Sequence, residues 1–316
     1  MTSSRVQLAD RAAWRLLVLL TAVAVAVTAS AATALAMLLP AYRTSIENHC
    51  TRLAGWLAGH PDALLGLLLI GLVTTVICRS AGRAMQQRAA TARLLAGLGT
   101  PRALPDRLQH KVQQLGLAGQ VDYVAHPVPL SFCYGLRRPR ICVSDSLVRL
   151  LDDDELTAVL LHERHHARRN DPARLLLTRA LSSGVAFLPG VAAVMKSYVA
   201  ATEVAADAAA SADADGRLAL AEAMLKLARA QNDMRALSSA PVSPWSPLWV
   251  RVEALLSPHP TTPGLRWSTL GQLAGVLGVM AVLAAAPVAL AQKPDSAALH
   301  PCATEIHRHA GGMEVR

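Results

Sequence analysis

Apolar residues are concentrated in three long runs along the chain, at 14–39, 61–78 and 268–291. About 20 predominantly apolar residues suffice for a helix to cross a bilayer, so the pattern predicts three transmembrane helices. Residues 16–39 contain no charged side chain at all. This run is longer than the roughly 7 to 15 apolar residues of a cleavable signal peptide, which favours an uncleaved membrane anchor.

A shorter apolar stretch at 180–195 lies between the second and third runs and contains Gly184, Pro189 and Gly190. As a helix these residues would extend only about 24 Å, less than the ~30 Å hydrocarbon core. The pattern therefore predicts a buried or membrane-surface helical segment with a bend, or a shallow hairpin near the bilayer, rather than a fourth span.

Between the second and third runs, the polar and apolar positions predict a small mixed domain. Short β-like segments at 121–125, 130–134 and 140–143 are separated by proline and glycine, which predicts a small sheet. An acidic N-terminus at 152–155 and an apolar face predict a helix that ends before Pro172. Leucines at helical spacing predict another helix at 217–231.

Composition and charge place this domain on one side of the membrane. The chain is 53% hydrophobic with only 3% aromatic residues, and its net charge is +9. Arginines are frequent directly after the second run, which makes that side cytoplasmic by the positive-inside rule. No basic stripe is interleaved with aromatics, so no nucleic-acid partner is expected. The predicted order is a cytoplasmic N-terminus (1–13), a span (14–39), an external loop (40–60), a span (61–78), a cytoplasmic domain (79–267, core 105–235), a span (268–291) and an external tail (292–316).

The cysteines agree with this topology. Cys133 and Cys142 fall in the predicted cytoplasmic domain, where thiols stay reduced. Cys50 and Cys302 fall in the two external segments, and a disulfide between them is a hypothesis. Gly271 and Gly275 form a GxxxG pattern in the last span, which permits self-association of the chain.

The stretch LLHERHHARRNDP at 160–172 holds the candidate chemistry. One interpretation is the solvated end of an amphipathic helix whose basic residues offset the helix dipole. The other is the HExxH pattern, in which His162 and His166 lie one turn apart and bind zinc, while Glu163 activates a water molecule. The predicted helical context favours zinc, and His165 is then an outward-facing or supporting histidine.

A hydrolytic zinc site needs a third protein ligand. In AATEVAADAAA, at 200–210, Glu203 and Asp207 lie one turn apart in a helix-forming composition. Glu203 is the predicted third ligand, and Asp207 is predicted to accept a proton from a ligating imidazole or to orient the neighbouring side chains. By itself this stretch would also suit a solvated acidic helix face.

The segments PLSFCYGLRRPRICVSDSLVRLL, DDDELTAVLLHERHHARRNDP and EVAAD resemble the BlaR/MecR-type antirepressor metallopeptidases, which are integral-membrane zinc endopeptidases of the gluzincin kind. The resemblance covers 129–207 and extends more distantly to HtpX-type membrane proteases. It implies that His162, His166 and Glu203 bind zinc and that Glu163 is the catalytic base. It also matches Asp207, and gives Asp171 and Pro172 a structural role. The receptors of this family carry a large external penicillin-binding domain, which the short segment 292–316 does not match, so direct β-lactam sensing is not expected.

The expected fold is that of a mainly α-helical integral membrane protein. It has a helical gluzincin-type peptidase domain with a small β-sheet, flanked by transmembrane helices. The expected function is zinc-dependent endopeptidase activity at the cytoplasmic face of the cell membrane. The resemblance implies a cytoplasmic transcriptional repressor, or the chain itself, as substrate. The alternatives are an HtpX-like quality-control protease and a signalling receptor with a structural zinc site. Arg251 and His259 are candidates for stabilising an oxyanion, without support from their spacing.

Overall fold

The computed structural model describes residues 2–46, 61–211 and 214–237, together with 267–269, 271–272, 274–275 and 278. Within these residues the fold is mainly helical with one small sheet, which confirms that part of the sequence prediction. The elements in chain order are α1 (Thr2–Ile46), α2 (Pro61–Gly97), α3 (Asp106–Gln114), β1 (Val121–Val124), β2 (Ser131–Tyr134), β3 (Arg140–Ser144), α4 (Asp145–Leu150), α5 (Asp153–Arg169), α6 (Asp171–Gly184), α7 (Val191–Ala210) and α8 (Ala214–Leu237).

The first two apolar runs form parts of α1 and α2. Both helices contain a segment long and apolar enough to cross a membrane, Val6–Thr33 in α1 and Leu67–Gly97 in α2. Each helix extends past its predicted end, because α1 continues from residue 39 to Ile46 and α2 continues from residue 78 to Gly97. The extension of α2 is rich in alanine, arginine, leucine and glutamine, which are strong helix formers. Most of the third predicted span lies outside the described residues.

The apolar stretch at 180–195 forms a helical hairpin. Helix α6 ends at Gly184, the turn occupies 185–190, and α7 begins at Val191 after Gly190, whose φ of 87° suits a glycine. Helix α6 packs against α2, and α7 packs against α1 and α6. The bend therefore falls where the glycines and proline predict it.

The three strands form one sheet in the order β1-β3-β2. Strand β3 pairs with β1 in parallel and with β2 in antiparallel register, so β2 lies at one edge of the sheet. The β2–β3 connection turns at Gly135 (φ 93°), where a Cβ atom would lie 2.7 Å from the carbonyl oxygen of Arg138. Buried side chains of α3, β1, β3, α4 and α5 form a single core beside this sheet.

Local capping sets the limits of α5. The Asp152 side chain accepts hydrogen bonds from the backbone N–H groups of Asp154 and Glu155, and Glu155 accepts one from the backbone of Asp152. This capping box fixes the start of the helix. At its end Asn170 adopts the left-handed conformation (φ 55°) and starts the turn into α6. Helix α8 is joined to the fully buried Glu155 by Lys226, whose Nζ lies 2.6 Å from the carboxylate.

Candidate metal centre

Three side chains from two helices converge on one point. His162 and His166 extend from one face of α5 with their Nε2 atoms 3.1 Å apart. Glu203 reaches them from α7, with its Oε2 3.8 Å from Nε2 of His162 and its Oε1 3.8 Å from Nε2 of His166. Tetrahedral zinc with bonds of about 2.0–2.2 Å needs ligand atoms roughly 3.3–3.6 Å apart. With one atom taken from each residue, the three ligand atoms lie within 4.8 Å of one another, so the three predicted ligands form a group that could hold a metal ion.

Each imidazole has a carboxylate at its other nitrogen. Asp207 Oδ1 lies 3.0 Å from Nδ1 of His162, and Asp171 Oδ2 lies 2.8 Å from Nδ1 of His166. A carboxylate that accepts the Nδ1 proton leaves the lone pair on Nε2, where a metal is bound. The sequence predicted this contact for Asp207. It gave Asp171 only a structural role, although the position directly after the end of α5 was a signal that could have identified it.

The charge around the imidazoles favours a bound cation. Glu163, Asp171 and Asp207 are buried, and Glu203 lies beside them. Burial by itself lowers the pKa of His166, but the hydrogen bond to Asp171 and the charges of Glu203 and Glu163 outweigh it and raise the pKa to about 9. The negative potential that retains a proton on His166 also attracts a divalent metal ion. The two Nε2 atoms, 3.1 Å apart, can share either a proton in a hydrogen bond or a metal ion, and the two imidazoles and the carboxylate are ligand types that zinc binds, so the donor set fits zinc.

Glu163 lies in a cleft of about 180 Å³ beside the three converging side chains. The residue is 4% exposed and lines the cleft together with His166 and Glu203. The rest of the lining is mostly apolar and comes from β2, α6 and α7: Phe132, Pro172, Leu175, Tyr198 and Val199. The arrangement places a buried carboxylate next to the candidate ligand atoms, in a space that also suits an apolar side chain.

Cys133 also lines the cleft, at the edge of the sheet. Burial raises the pKa of its thiol well above the ordinary range, and the carboxylates of Glu163 and Asp171 raise it further. A thiol in such surroundings stays protonated near neutral pH and is a poor nucleophile.

Strand β2 presents one backbone edge away from the sheet. The backbone N–H of Ile141 donates to Gln120, on the side of β1. Because Cys133 is the antiparallel partner of Ile141 in β2, its own N–H and C=O face away from β3. The sequence did not indicate which strand would be the edge beside the metal helix. The structure shows that β2 packs against α5 and lines the cleft.

The sequence predicted that His165 either faces outward or supports the site. The structure contradicts the outward-facing placement. The His165 side chain is 10% exposed, and its Nε2 lies 3.3 Å from Asp10 Oδ1 of α1. Arg169 Nη1 lies 2.7 Å from the other oxygen of Asp10. The first apolar helix thus contacts the HExxH helix directly, through a residue that no sequence motif indicated.

Other predictions remain untested. Arg251, His259, Cys50 and Cys302 lie outside the described residues. Gly271 and Gly275 are helical, and self-association through them stays a prediction. Cys133 and Cys142 are free cysteines, in keeping with the sequence interpretation.

Comparison with known proteins gives one family. The sequence model of the BlaR1 peptidase M56 family matches residues 11–255. This range includes α1 from residue 11 onward, α2, the sheet and all three converging side chains. No curated protein matches the chain.

Proposed function

The chain belongs to the BlaR1 peptidase M56 family, and we propose that it is a zinc metalloendopeptidase of the gluzincin type. Family membership makes it a peptidase with a protein substrate, and implies a metal. The proposed zinc ligands are His162, His166 and Glu203, and the proposed general base is Glu163. The observation that supports these roles is the convergence of three ligand atoms within 4.8 Å of one another, beside a buried glutamate in a cleft.

The chain's own residues divide the work of peptide hydrolysis. When bound, zinc would polarise the scissile carbonyl and lower the pKa of a water molecule. Glu163 accepts a proton from the attacking water and delivers it to the leaving amine. Asp171 and Asp207 keep the two imidazoles in the tautomer that has its lone pair on Nε2.

We propose that the substrate backbone pairs with the outer edge of β2. The backbone groups of Cys133 face that edge, and an extended peptide can add to it as a further strand. The apolar side of the cleft, formed by Leu175 and Val199 among others, would accept an apolar side chain next to the scissile bond. Pairing fixes the position of the scissile carbonyl, and the cleft adds side-chain preference.

The proposed membrane arrangement keeps the predicted domain limits. Residues 14–39, 61–78 and 268–291 span the bilayer, and the peptidase domain at 79–267 is cytoplasmic. The support comes from α2, whose apolar side chains are largely exposed; Leu67, Leu68, Ile70 and Ile77 are each 44–71% exposed. The family and the two long apolar helices indicate membrane association, and the arginines after residue 78 support the orientation.

We infer regulated proteolysis of a transcriptional repressor, or of the chain itself, from the family alone. A quality-control protease would share the same centre but cleave many membrane proteins. A structural zinc site is disfavoured, because such sites are normally closed by a fourth protein ligand. Here three side chains form the metal-binding group found among the described residues, and a cleft adjoins it.

The test compares protein N-termini in cells that carry the wild-type chain, Glu163→Ala, or the control Glu222→Ala at an exposed position on α8. Zinc content is measured on each purified protein. We expect Glu163→Ala to retain zinc and to lose one or two cleavages, in a repressor or in the chain itself. Loss of many cleavages in membrane proteins would favour quality control. Unchanged proteolysis by Glu163→Ala would show that the assigned base is wrong.

A further inference from the structure

The hairpin formed by α6 and α7 is uncharged over its whole outer part. Residues 180–195 contain no charged side chain, and Arg179 and Lys196 stand at the two ends of this stretch. Helix α6 leads away from the metal centre, beginning at Asp171, and α7 returns to it at Glu203. The tip of the hairpin, residues 185–190, is therefore the part of the hairpin farthest from the metal centre.

The tip packs beside the apolar parts of α1 and α2. Gly184 approaches α2 so closely that a Cβ atom on it would lie 3.0 Å from the carbonyl oxygen of Val76. Val185, Leu188 and Val191 belong to one buried cluster with side chains of α1 and α2, which include Val23, Ala24, Val27 and Leu72. The hairpin thus lies along the same two helices that are apolar enough to span a membrane.

The position of the tip along α2 gives its depth. Arg79 donates a hydrogen bond from Nε to the carbonyl oxygen of Ser183, at the last turn of α6. Arg79 is the first charged residue after the apolar run of α2, so it marks the membrane surface. Leu72, which packs against the hairpin cluster, is seven residues farther into the run, a distance of about 10 Å along a helix.

The exposed surface of the tip is apolar. Phe187 is 52% exposed, and its neighbours Ala186 and Pro189 are also exposed. In water, a phenylalanine in this position loses much of the free energy that its burial would provide. Contact with lipid chains would restore this free energy, because the chains remove the side chain from water.

Positive charges surround the base of the uncharged stretch. Arg179 of α6 lies near enough to Arg83 of α2 for their charges to repel one another, and Lys196 of α7 is exposed. Basic residues grouped in this way are favourable at the headgroup region of a membrane, where anionic lipid phosphates offset the repulsion between them. The charge pattern and the apolar tip thus indicate the same partner.

We propose that the α6–α7 hairpin inserts its tip into the cytoplasmic leaflet, to a depth on the order of 10 Å, without crossing the membrane. The inference rests on the membrane arrangement proposed above. It places the metal centre close beneath the headgroups, because Glu203 follows Lys196 by seven residues, or about 10 Å of helix. Peptide bonds near the inner membrane surface are then the ones that reach the cleft most readily.

Depth-dependent fluorescence quenching of the full chain in phosphatidylcholine–phosphatidylglycerol vesicles tests the proposal. The five native cysteines are replaced by alanine or serine, and one cysteine is added at Phe187, Leu68 or Leu136 and labelled with an environment-sensitive dye. Leu68, 71% exposed in the apolar run of α2, reports on the span. Leu136, 37% exposed after β2, reports on the peptidase domain. Lipids brominated near the headgroup or near the chain ends serve as quenchers, and retained zinc confirms folding of each protein.

We expect the dye at Phe187 to be quenched at least twofold more by the shallow bromines than by the deep ones, and the dye at Leu136 to be unaffected. Quenching at Leu68 without quenching at Phe187 would overturn the insertion of the hairpin and leave the membrane span intact. Absence of quenching at both Phe187 and Leu68 would overturn the proposed membrane arrangement, and the hairpin insertion with it. Quenching at Phe187 by deep bromines alone would also contradict a shallow insertion.

Discussion

Replacement of Asp171 should weaken zinc binding although this residue is not a proposed ligand. Its Oδ2 lies 2.8 Å from Nδ1 of His166, and the residue is 7% exposed. Hydrogen bonds to charged groups contribute about 1.5–3 kcal/mol, which corresponds to roughly 10- to 150-fold in binding. Carboxylates that support a ligating histidine typically account for about 10–100-fold in metal affinity. We therefore expect Asp171→Ala to bind zinc about 10–100-fold more weakly, and Asp171→Asn, which keeps an acceptor but loses the charge, about 10-fold more weakly.

The assay is competition between the detergent-solubilised protein and a chromophoric zinc chelator at fixed pH. Asp153→Asn is the matched control, because it removes one negative charge from an exposed position in the first turn of the same helix, α5. Thermal unfolding of each variant shows whether the fold is kept. Wild-type zinc affinity in a folded Asp171→Ala protein would refute the role assigned to this carboxylate, and an equal loss in Asp153→Asn would show that only net charge matters.

Three further predictions concern the fold around the centre, each measured by thermal unfolding of the solubilised protein. Asn170 adopts the left-handed conformation (φ 55°), which is costly for alanine but not for glycine. Asn170→Ala should therefore destabilise the protein by about 1–2 kcal/mol, and Asn170→Gly by less. A glycine variant less stable than the alanine variant would contradict this reason. Gly184→Ala should cost about 1–3 kcal/mol because its Cβ would meet the side-chain oxygen of Ser80 and the backbone of Val76 in α2. Ser80→Ala in the same chain removes the first of these contacts and should recover part of the loss. Unchanged stability of Gly184→Ala would refute the close approach. The hydrogen bond from Arg140 holds the pKa of Asp122 below its usual 3.8. The stabilisation by this pair is therefore present above pH 3.8 and is lost as the pH falls through the lower pKa of the folded state. The stability difference between wild type and Asp122→Asn should thus shrink between pH 6 and pH 3. A difference that stays constant over this range would contradict the assignment.

The sequence determined those features that depend on neighbours along the chain. The four-residue spacing of His162 and His166 places them on one face of any helix, and the capping residues from Asp152 to Glu155 fix where that helix begins. The strands at 121–124, 131–134 and 140–144 and the bend within 180–195 also follow from local patterns of apolar residues, glycine and proline. Glu203 could be proposed as the third ligand because the chemistry of a zinc site requires one downstream.

Only the tertiary structure decided which distant groups meet. Asp171 reaches His166 because Asn170 turns the chain in the left-handed conformation, and Glu203 reaches the same point because the hairpin returns α7 alongside α5. Asp10 contacts His165 because α1 packs beside the hairpin, and no spacing along the sequence predicts that contact. A periodic pattern specifies which face of an element is apolar, whereas the partner of that face is set by how all the elements pack together.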